Sequence, residues 1–194
     1  MKVLKFFVLS LFSTAFLSFT PVKKKYIVVD AGHGGNDLGA THGDFSEKQI
    51  VLDIAEQIHE INEIQEKYEV FLTRTSDEFR TLTDRTNKIN ELSPVMVISL
   101  HVNTTPEKET SKQGHEIYVQ VSEESKSIAS KMTKKLGDCT ITERNNLHIL
   151  KETKAPAVLV ELGYINNAKD REYLTSESGQ KEIAQKFVEF FNEY

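Results

Sequence analysis

Three strongly apolar runs constrain this chain more than any other feature, because a residue that can bind a metal or move a proton follows each of them. The runs span 26–30, 95–100 and 157–160, and the residues that follow them are His33 (within a glycine-rich turn), His101 and Glu161. Apolar runs of this length are typical of buried strands in an α/β sheet. Functional sites in such sheets assemble where the strands end. The sequence therefore predicts a site built from strand-end side chains.

Hydrophobic periodicity predicts one α/β domain, with a mixed central sheet of about six strands flanked by helices. Candidate strands span 26–30, 69–73, 95–101, 115–121, 147–150 and 157–161, and candidate helices span 46–61, 81–92, 123–136 and 179–194. Residues 138–146 carry no clear pattern and are predicted to be irregular. This alternation of strands and helices is typical of helices packed on both faces of a sheet.

The first twenty residues have the pattern of a secretory signal peptide. Lys2 and Lys5 accompany an almost continuous apolar run over 3–19, which matches a basic start and an apolar core. An uncleaved membrane anchor is the alternative, because about 17 apolar residues approach the length that spans a bilayer. We assign 1–20 to the signal peptide and 25–194 to the folded domain. Either interpretation places the domain outside the cytoplasm, periplasmic or secreted, and removal of the signal leaves no membrane contact.

Charge and cysteine content exclude two classes of protein. The chain has 24 Lys+Arg against 29 Asp+Glu, a net charge of −5, so it lacks the basic footprint of a nucleic-acid-binding protein. Its single cysteine, Cys139, excludes an internal disulfide and a cysteine-rich zinc cluster. Any metal site must therefore use histidine and carboxylate ligands.

His33, Glu47 and His101 are the candidate ligands of one zinc ion. Catalytic zinc commonly takes three such ligands and leaves the fourth position to a water molecule. Glu161 is the candidate general base, since a nearby carboxylate that does not bind the metal can transfer the proton. By spacing alone the set is unspecific: a histidine at a strand end is often a hydrogen-bonded loop residue, and a helix dipole favours a carboxylate at Glu47.

Five short motifs resemble, in the same order, those of the zinc-dependent N-acetylmuramoyl-L-alanine amidases of the Amidase_3 class. They are VVDAGHGGNDLGA at 28–40, SEK at 46–48, ISLHVN at 98–103, GHEIY at 114–118 and PAVLVELGYINN at 156–167. The resemblance runs from about Lys25 to the C-terminus. It implies a six-stranded mixed sheet and hydrolysis of the amide between N-acetylmuramic acid and L-alanine in peptidoglycan. It also implies that His33, Glu47 and His101 bind the zinc ion and that Glu161 is the catalytic glutamate.

The resemblance also bears on substrate contacts, partners and regulation. Asn103, His115, Arg144 and His42 are the candidate substrate-binding residues, from the motifs and the polar loops around them. Peptidoglycan is the expected partner, at the cell wall. The loop 104–113 is too short for the helical insertion that occludes the zinc in some members of the family, so no activator protein is expected. Two other functions stay open: a zinc peptidase that cuts within the stem peptide, and a catalytically silent peptidoglycan-binding protein.

Overall fold

The computed structural model describes residues 25–65, 67–137 and 139–194, so the predicted signal peptide lies outside the described residues. The elements in these ranges are β1 (Tyr26–Ala31), β2 (Thr41–His42), β3 (Phe45–Ser46), α1 (Glu47–Asn62), β4 (Glu69–Leu72), α2 (Leu82–Leu92), β5 (Met96–Asn103), β6 (His115–Val119), α3 (Glu123–Leu136), β7 (Cys139–Glu143), α4 (His148–Glu152), β8 (Ala157–Tyr164), α5 (Ala168–Thr175) and α6 (Glu177–Glu193). Among the described helices, none has both the length and the apolar character needed to cross a bilayer.

Six strands form one mixed sheet in the order β4-β1-β5-β8-β6-β7, which confirms the predicted fold class. The first four run parallel to one another, whereas β6 is antiparallel to β8 and parallel to β7. The central strands β1, β5 and β8 are almost entirely buried, because helices cover both faces of a parallel sheet. The carboxyl ends of these three strands therefore lie side by side at one edge.

Helices cover the two faces of the sheet to different extents. The larger apolar cluster lies under α1, α3 and α6, and the smaller one lies under α2 and α4. In α1 the buried Ile50, Ile54 and Ile58 follow the helical spacing of four. On the face of α2 and α4, β6 and β7 stay partly exposed. An open strip of sheet thus adjoins the carboxyl ends of β5 and β8.

Two local predictions are wrong. Residues 138–146, predicted to be irregular, contain the edge strand β7, whose mostly polar and exposed side chains gave no apolar alternation; an edge strand needs little buried surface. Residues 147–150, predicted to be a strand, begin the helix α4, because the adjacent apolar pair Ile149 and Leu150 is buried by a single helical turn. The helix α5 was also missed, since Leu174 is its only buried residue.

Candidate metal centre and active site

His33, Glu47 and His101 converge at the carboxyl edge of the sheet, although they lie far apart in the sequence. Glu47 Oε1 is 3.1 Å from His33 Nε2 and 2.8 Å from His101 Nδ1. One ligand atom from each residue lies within 4.8 Å of the others. His33 follows β1, Glu47 is the first residue of α1, and His101 lies in β5. Two imidazole nitrogens and a carboxylate oxygen fit a divalent metal of the zinc type.

The backbone of His33 is in the left-handed region, with φ of 61°, which is rare for a residue other than glycine. Two buried arginines hold the carbonyls of this turn. Arg85 donates to His33 O and, over 2.6 Å, to Ala31 O. Arg74 donates to Gly32 O over 2.9 Å. Strained backbone persists where the surrounding structure fixes it, and these hydrogen bonds fix the turn that presents the imidazole.

Two glycines leave the space that the side chains of the three candidate ligands fill. A Cβ atom on Gly39 would lie 2.4 Å from Glu47 Oε2 and 2.7 Å from His33 Cδ2, and one on Gly32 would lie 2.6 Å from His101 Cε1. Side-chain carbons do not approach other atoms so closely without displacing them. The glycine-rich motif therefore serves the packing of the three ligands as well as the turn itself.

Backbone amides orient the carboxylate of Glu47, which is only 4% exposed. Val102 N donates to Oε1 over 2.9 Å and Ala40 N donates to Oε2 over 2.7 Å. Burial opposes its charge, but hydrogen bonds from His101 and His33 hold the pKa of Glu47 below its usual range. Burial likewise disfavours charge on His33, yet the hydrogen bond and charge of Glu47 raise the pKa of His33 to about 9. The cluster thus attracts positive charge, as a cation site should.

Asp37, four residues after His33, supports the first ligand and was not singled out by sequence reasoning. Its Oδ2 lies 2.9 Å from His33 Nδ1, out of line with the ring N–H, so the contact is electrostatic rather than a well-directed hydrogen bond. Metal-binding histidines commonly turn their second nitrogen toward a carboxylate. The position of Asp37 within the glycine-rich motif was the signal available in the sequence.

Glu161 lies beside the cluster, since its Cα is paired with that of His101 across β5 and β8. Its Oε2 is buried and, among the described residues, has no hydrogen-bond partner. Burial raises the pKa of Glu161 to about 7; nearby His101 opposes this shift, whereas Glu47 and Glu116 add to it. A carboxyl group that titrates near neutral pH can both accept and donate a proton. An unpaired buried oxygen next to three potential ligands also fits a site that takes a metal, water and substrate.

Asn103 and Arg144 lie near the open strip of sheet next to Glu161. Asn103 Nδ2 is 3.5 Å from Glu116 Oε2, and the guanidinium of Arg144 lies 5.1 Å from the centre of the Tyr118 ring. Glu116 and Tyr118 belong to β6. The structure therefore places these two candidate substrate-binding residues beside one surface, and their contact with substrate stays a prediction.

His42 and His115 are not brought to the metal cluster. His42 Nε2 lies 3.1 Å from Glu109 Oε1, which links the β2–β3 hairpin to the loop after β5. His115 Nδ1 lies 3.0 Å from Leu162 O, and burial, with the charge of Lys186 in the same direction, lowers the pKa of His115. Their predicted contacts with substrate remain untested.

The segment 104–114, between β5 and β6, contains no helix. It is fastened to the end of β8: Thr110 N donates to Asn166 O over 3.0 Å, and Asn166 Nδ2 donates to Glu107 O over 2.8 Å. The side chains of His33 and His101 remain 22% and 21% exposed. Solvent therefore reaches both imidazoles.

Comparison with known proteins gives a consistent result. Residues 27–192 match the family Amidase_3, described as N-acetylmuramoyl-L-alanine amidase. A probable cell wall amidase LytH of Staphylococcus saprophyticus is 32% identical over 90% of this chain and 60% of its own length. With five other curated relatives it shares the property of being longer than this chain, which spans 60–64% of each of the six.

Two solved structures share the fold. The catalytic domain of CwlV, an N-acetylmuramoyl-L-alanine amidase from Bacillus (Paenibacillus) polymyxa, is 35% identical with a TM-score of 0.81, over 88% of this chain and 97% of that one. The CwlD amidase from Clostridioides difficile, solved in complex with the GerS lipoprotein, is 26% identical with a TM-score of 0.80, over 88% and 98%.

Proposed function

We propose that this chain, which belongs to the N-acetylmuramoyl-L-alanine amidase family, is a zinc-dependent hydrolase that cleaves the amide between N-acetylmuramic acid and L-alanine in peptidoglycan. The observation that carries the proposal is the convergence of His33, Glu47 and His101, with Glu161 next to them in the sheet. Two imidazoles, one carboxylate and a separate carboxyl group are the parts that a zinc hydrolase needs.

In this proposal His33, Glu47 and His101 would hold Zn²⁺, which would supply a Lewis acid and lower the pKa of water at the site. Glu161 takes a proton from the attacking water and passes it to the leaving nitrogen of L-alanine. Its partial burial supports both steps, because a pKa near 7 lets one carboxyl group act first as base and then as acid. The backbone amide of Val102 keeps Glu47 in position for its role as ligand.

We place the reaction at the cell wall, outside the cytoplasm. The signal-peptide pattern of residues 1–20 supports this location, as does the likeness to a protein described as a probable cell wall amidase. We also propose that the protein needs no activator, because the segment 104–114 has no helix that would cover the ligands. A purified, zinc-loaded protein that stays inert until a partner is added would contradict this point.

The test is digestion of purified peptidoglycan with and without a chelator, followed by mass spectrometry of the fragments. An amidase releases stem peptides that begin with a free L-alanine, and the chelator abolishes their release. Cleavage elsewhere in the stem would identify a peptidase instead. Binding to peptidoglycan without any cleavage would identify a silent binding protein.

Two variants separate the proposed roles. Glu161→Gln should keep zinc but lose activity by at least about 100-fold, the range for removal of a general acid–base group. His33→Ala should lose the metal itself. Glu143→Gln is the matched control for the first, since Glu143 is a carboxylate on β7 paired with Lys126 over 2.7 Å. Near-normal turnover of Glu161→Gln would refute the assignment of the base.

A further inference from the structure

A second carboxylate extends the candidate active site by one strand. The Cα of Glu161 is paired with that of His101 on one side and with that of Glu116 on the other. Residues directly opposite each other on neighbouring strands project from the same face, with Cβ atoms about 5 Å apart. His101, Glu161 and Glu116 therefore form a row that leads from the metal ligands toward the open strip of sheet.

Glu116 is held in place by two tyrosines. The Tyr164 hydroxyl donates to Oε1 over 2.5 Å, and the Tyr118 hydroxyl donates to Oε2 over 2.8 Å. Burial, together with the hydrogen bond to Glu116, raises the pKa of both tyrosines, so both hydroxyls keep their protons. Asn103 Nδ2 also lies 3.5 Å from Oε2 of Glu116. A carboxylate has about four acceptor positions, so Glu116 can accept one further donor.

In the described ranges, no ion pair joins a Lys or Arg to Glu161 or to Glu116. Like charges directly opposite on adjacent strands are destabilising. Arg144 is turned to the ring of Tyr118, 5.1 Å from its centre. A positively charged group that entered beside Glu161 would therefore relieve repulsion and find Glu116 as an acceptor.

The reaction proposed above produces such a group, and this inference rests on that proposed function. When the C–N bond breaks, the carbonyl carbon keeps the hydroxyl of water, and the nitrogen of L-alanine takes the proton carried by Glu161. The new carboxylic acid then ionises and the free amine takes up a proton, so charge balances. A peptide α-amino group has a pKa of about 8, so the product is mainly an ammonium ion at neutral pH.

We propose that Glu116, with Tyr118 and Tyr164, forms a binding site for the α-ammonium group of the stem peptide that begins with L-alanine. The site lies one strand beyond Glu161, on the side away from His101. As the amine moves away from Glu161, its proton donor, Glu116 is the next side chain in the row. This placement makes Glu116 a contact for the leaving group rather than a metal ligand.

The test compares two small peptides that differ only at the amine: L-Ala-D-Glu and its N-acetyl derivative. Binding of each is measured by calorimetry to the zinc-loaded full chain and to the chelator-treated protein. We expect the free amine to bind about tenfold more tightly than the acetylated form, the lower range for a hydrogen bond between charged groups. The preference should survive removal of zinc, because Glu116 is not a ligand.

Glu116→Gln keeps the shape and an acceptor oxygen but removes the charge, so it should abolish the preference. If Glu116 had only a structural role, its substitution would weaken the binding of both peptides equally. Glu143→Gln is the control, because this substitution makes the same charge change at a side chain that pairs with Lys126 of α3. If Glu116→Gln still binds the free amine more tightly than the acetylated form, the inference is overturned. Equal binding of the two peptides by the unmodified protein also overturns it, and this measurement requires no variant.

The outcomes also distinguish this inference from the proposed function. If the unmodified protein releases no stem peptides that begin with L-alanine from peptidoglycan, the proposed function is wrong and the inference fails with it. If it releases such peptides but Glu116→Gln retains the preference for the free amine, only the role of Glu116 is wrong.

Discussion

Arg74 should control metal affinity without touching the metal. Arg74 is 2% exposed, and its Nη2 donates to Gly32 O over 2.9 Å and to Lys48 O over 2.7 Å. Gly32 precedes the proposed ligand His33, and Lys48 follows the proposed ligand Glu47. One nitrogen atom of Arg74 therefore ties together the two segments that carry these ligands, and we expect it to set their separation before a metal binds.

The substitution Arg74→Lys keeps the charge but replaces a planar fork of five N–H donors with a compact ammonium group that has three. Besides Gly32 O and Lys48 O, the guanidinium donates hydrogen bonds to Ala31 O over 3.0 Å and to Ser76 O over 3.2 Å. Ala31 O keeps its bond from Arg85. Of the other three acceptors, Gly32 O and Lys48 O make the shorter bonds and lose most. At about 1–2 kcal/mol each, the free energy of unfolding should fall by roughly 2–4 kcal/mol.

Metal affinity should fall as well, by about 10–100-fold, the usual cost of losing a residue that orients a ligand. That loss removes about 1.4–2.7 kcal/mol of the stabilisation that zinc confers on the folded protein. The assay is competition for zinc against a chromophoric chelator, with thermal unfolding measured with and without zinc.

Asn62→Ala is the matched control. Asn62 is 3% exposed and donates to Tyr68 O over 3.0 Å, at the end of α1 away from the ligands. We expect this variant to lose stability but to keep its zinc affinity. If Arg74→Lys also melted earlier while binding zinc as tightly as the unmodified protein, the idea that Arg74 spaces the ligands would be wrong.

Three further predictions concern the same region. Gly39→Ala should weaken zinc binding at least about tenfold in the chelator assay, because its Cβ would lie 2.4 Å from Glu47 Oε2 at a φ of +65°; unchanged affinity would contradict the packing argument. Arg85→Met should lower the free energy of unfolding in denaturant titrations by about 3–5 kcal/mol, because it leaves Asp30 buried without its 2.8 Å ion pair. A loss below about 1 kcal/mol would contradict the stabilising role of this ion pair. Zinc affinity should rise with pH up to about 9, because the raised pKa of His33 means that zinc must displace a proton from this imidazole below that pH. Calorimetry in buffers of different ionisation enthalpy should detect the released proton. A zinc affinity that does not change between pH 6 and 8 would exclude this competition.

Much of the fold could be predicted because its central elements carry strong patterns. The strands β1, β5 and β8 are apolar almost throughout, and α1 and α6 show clear amphipathic stripes. The edge strand β7 and the helices α4 and α5 could not be predicted in the same way. They bury few side chains, so their conformation depends on the neighbours they pack against rather than on local periodicity.

For the site, the sequence alone determined the available chemistry: histidine and carboxylate candidate ligands, a further carboxyl group at Glu161, and motifs that resemble one family. Tertiary structure decided which of these side chains meet. The strand order brings Glu161 between His101 and Glu116, and two buried arginines hold the turn at His33. Strand register and buried hydrogen bonds join residues that are distant in the chain, and local sequence patterns carry no information about such contacts.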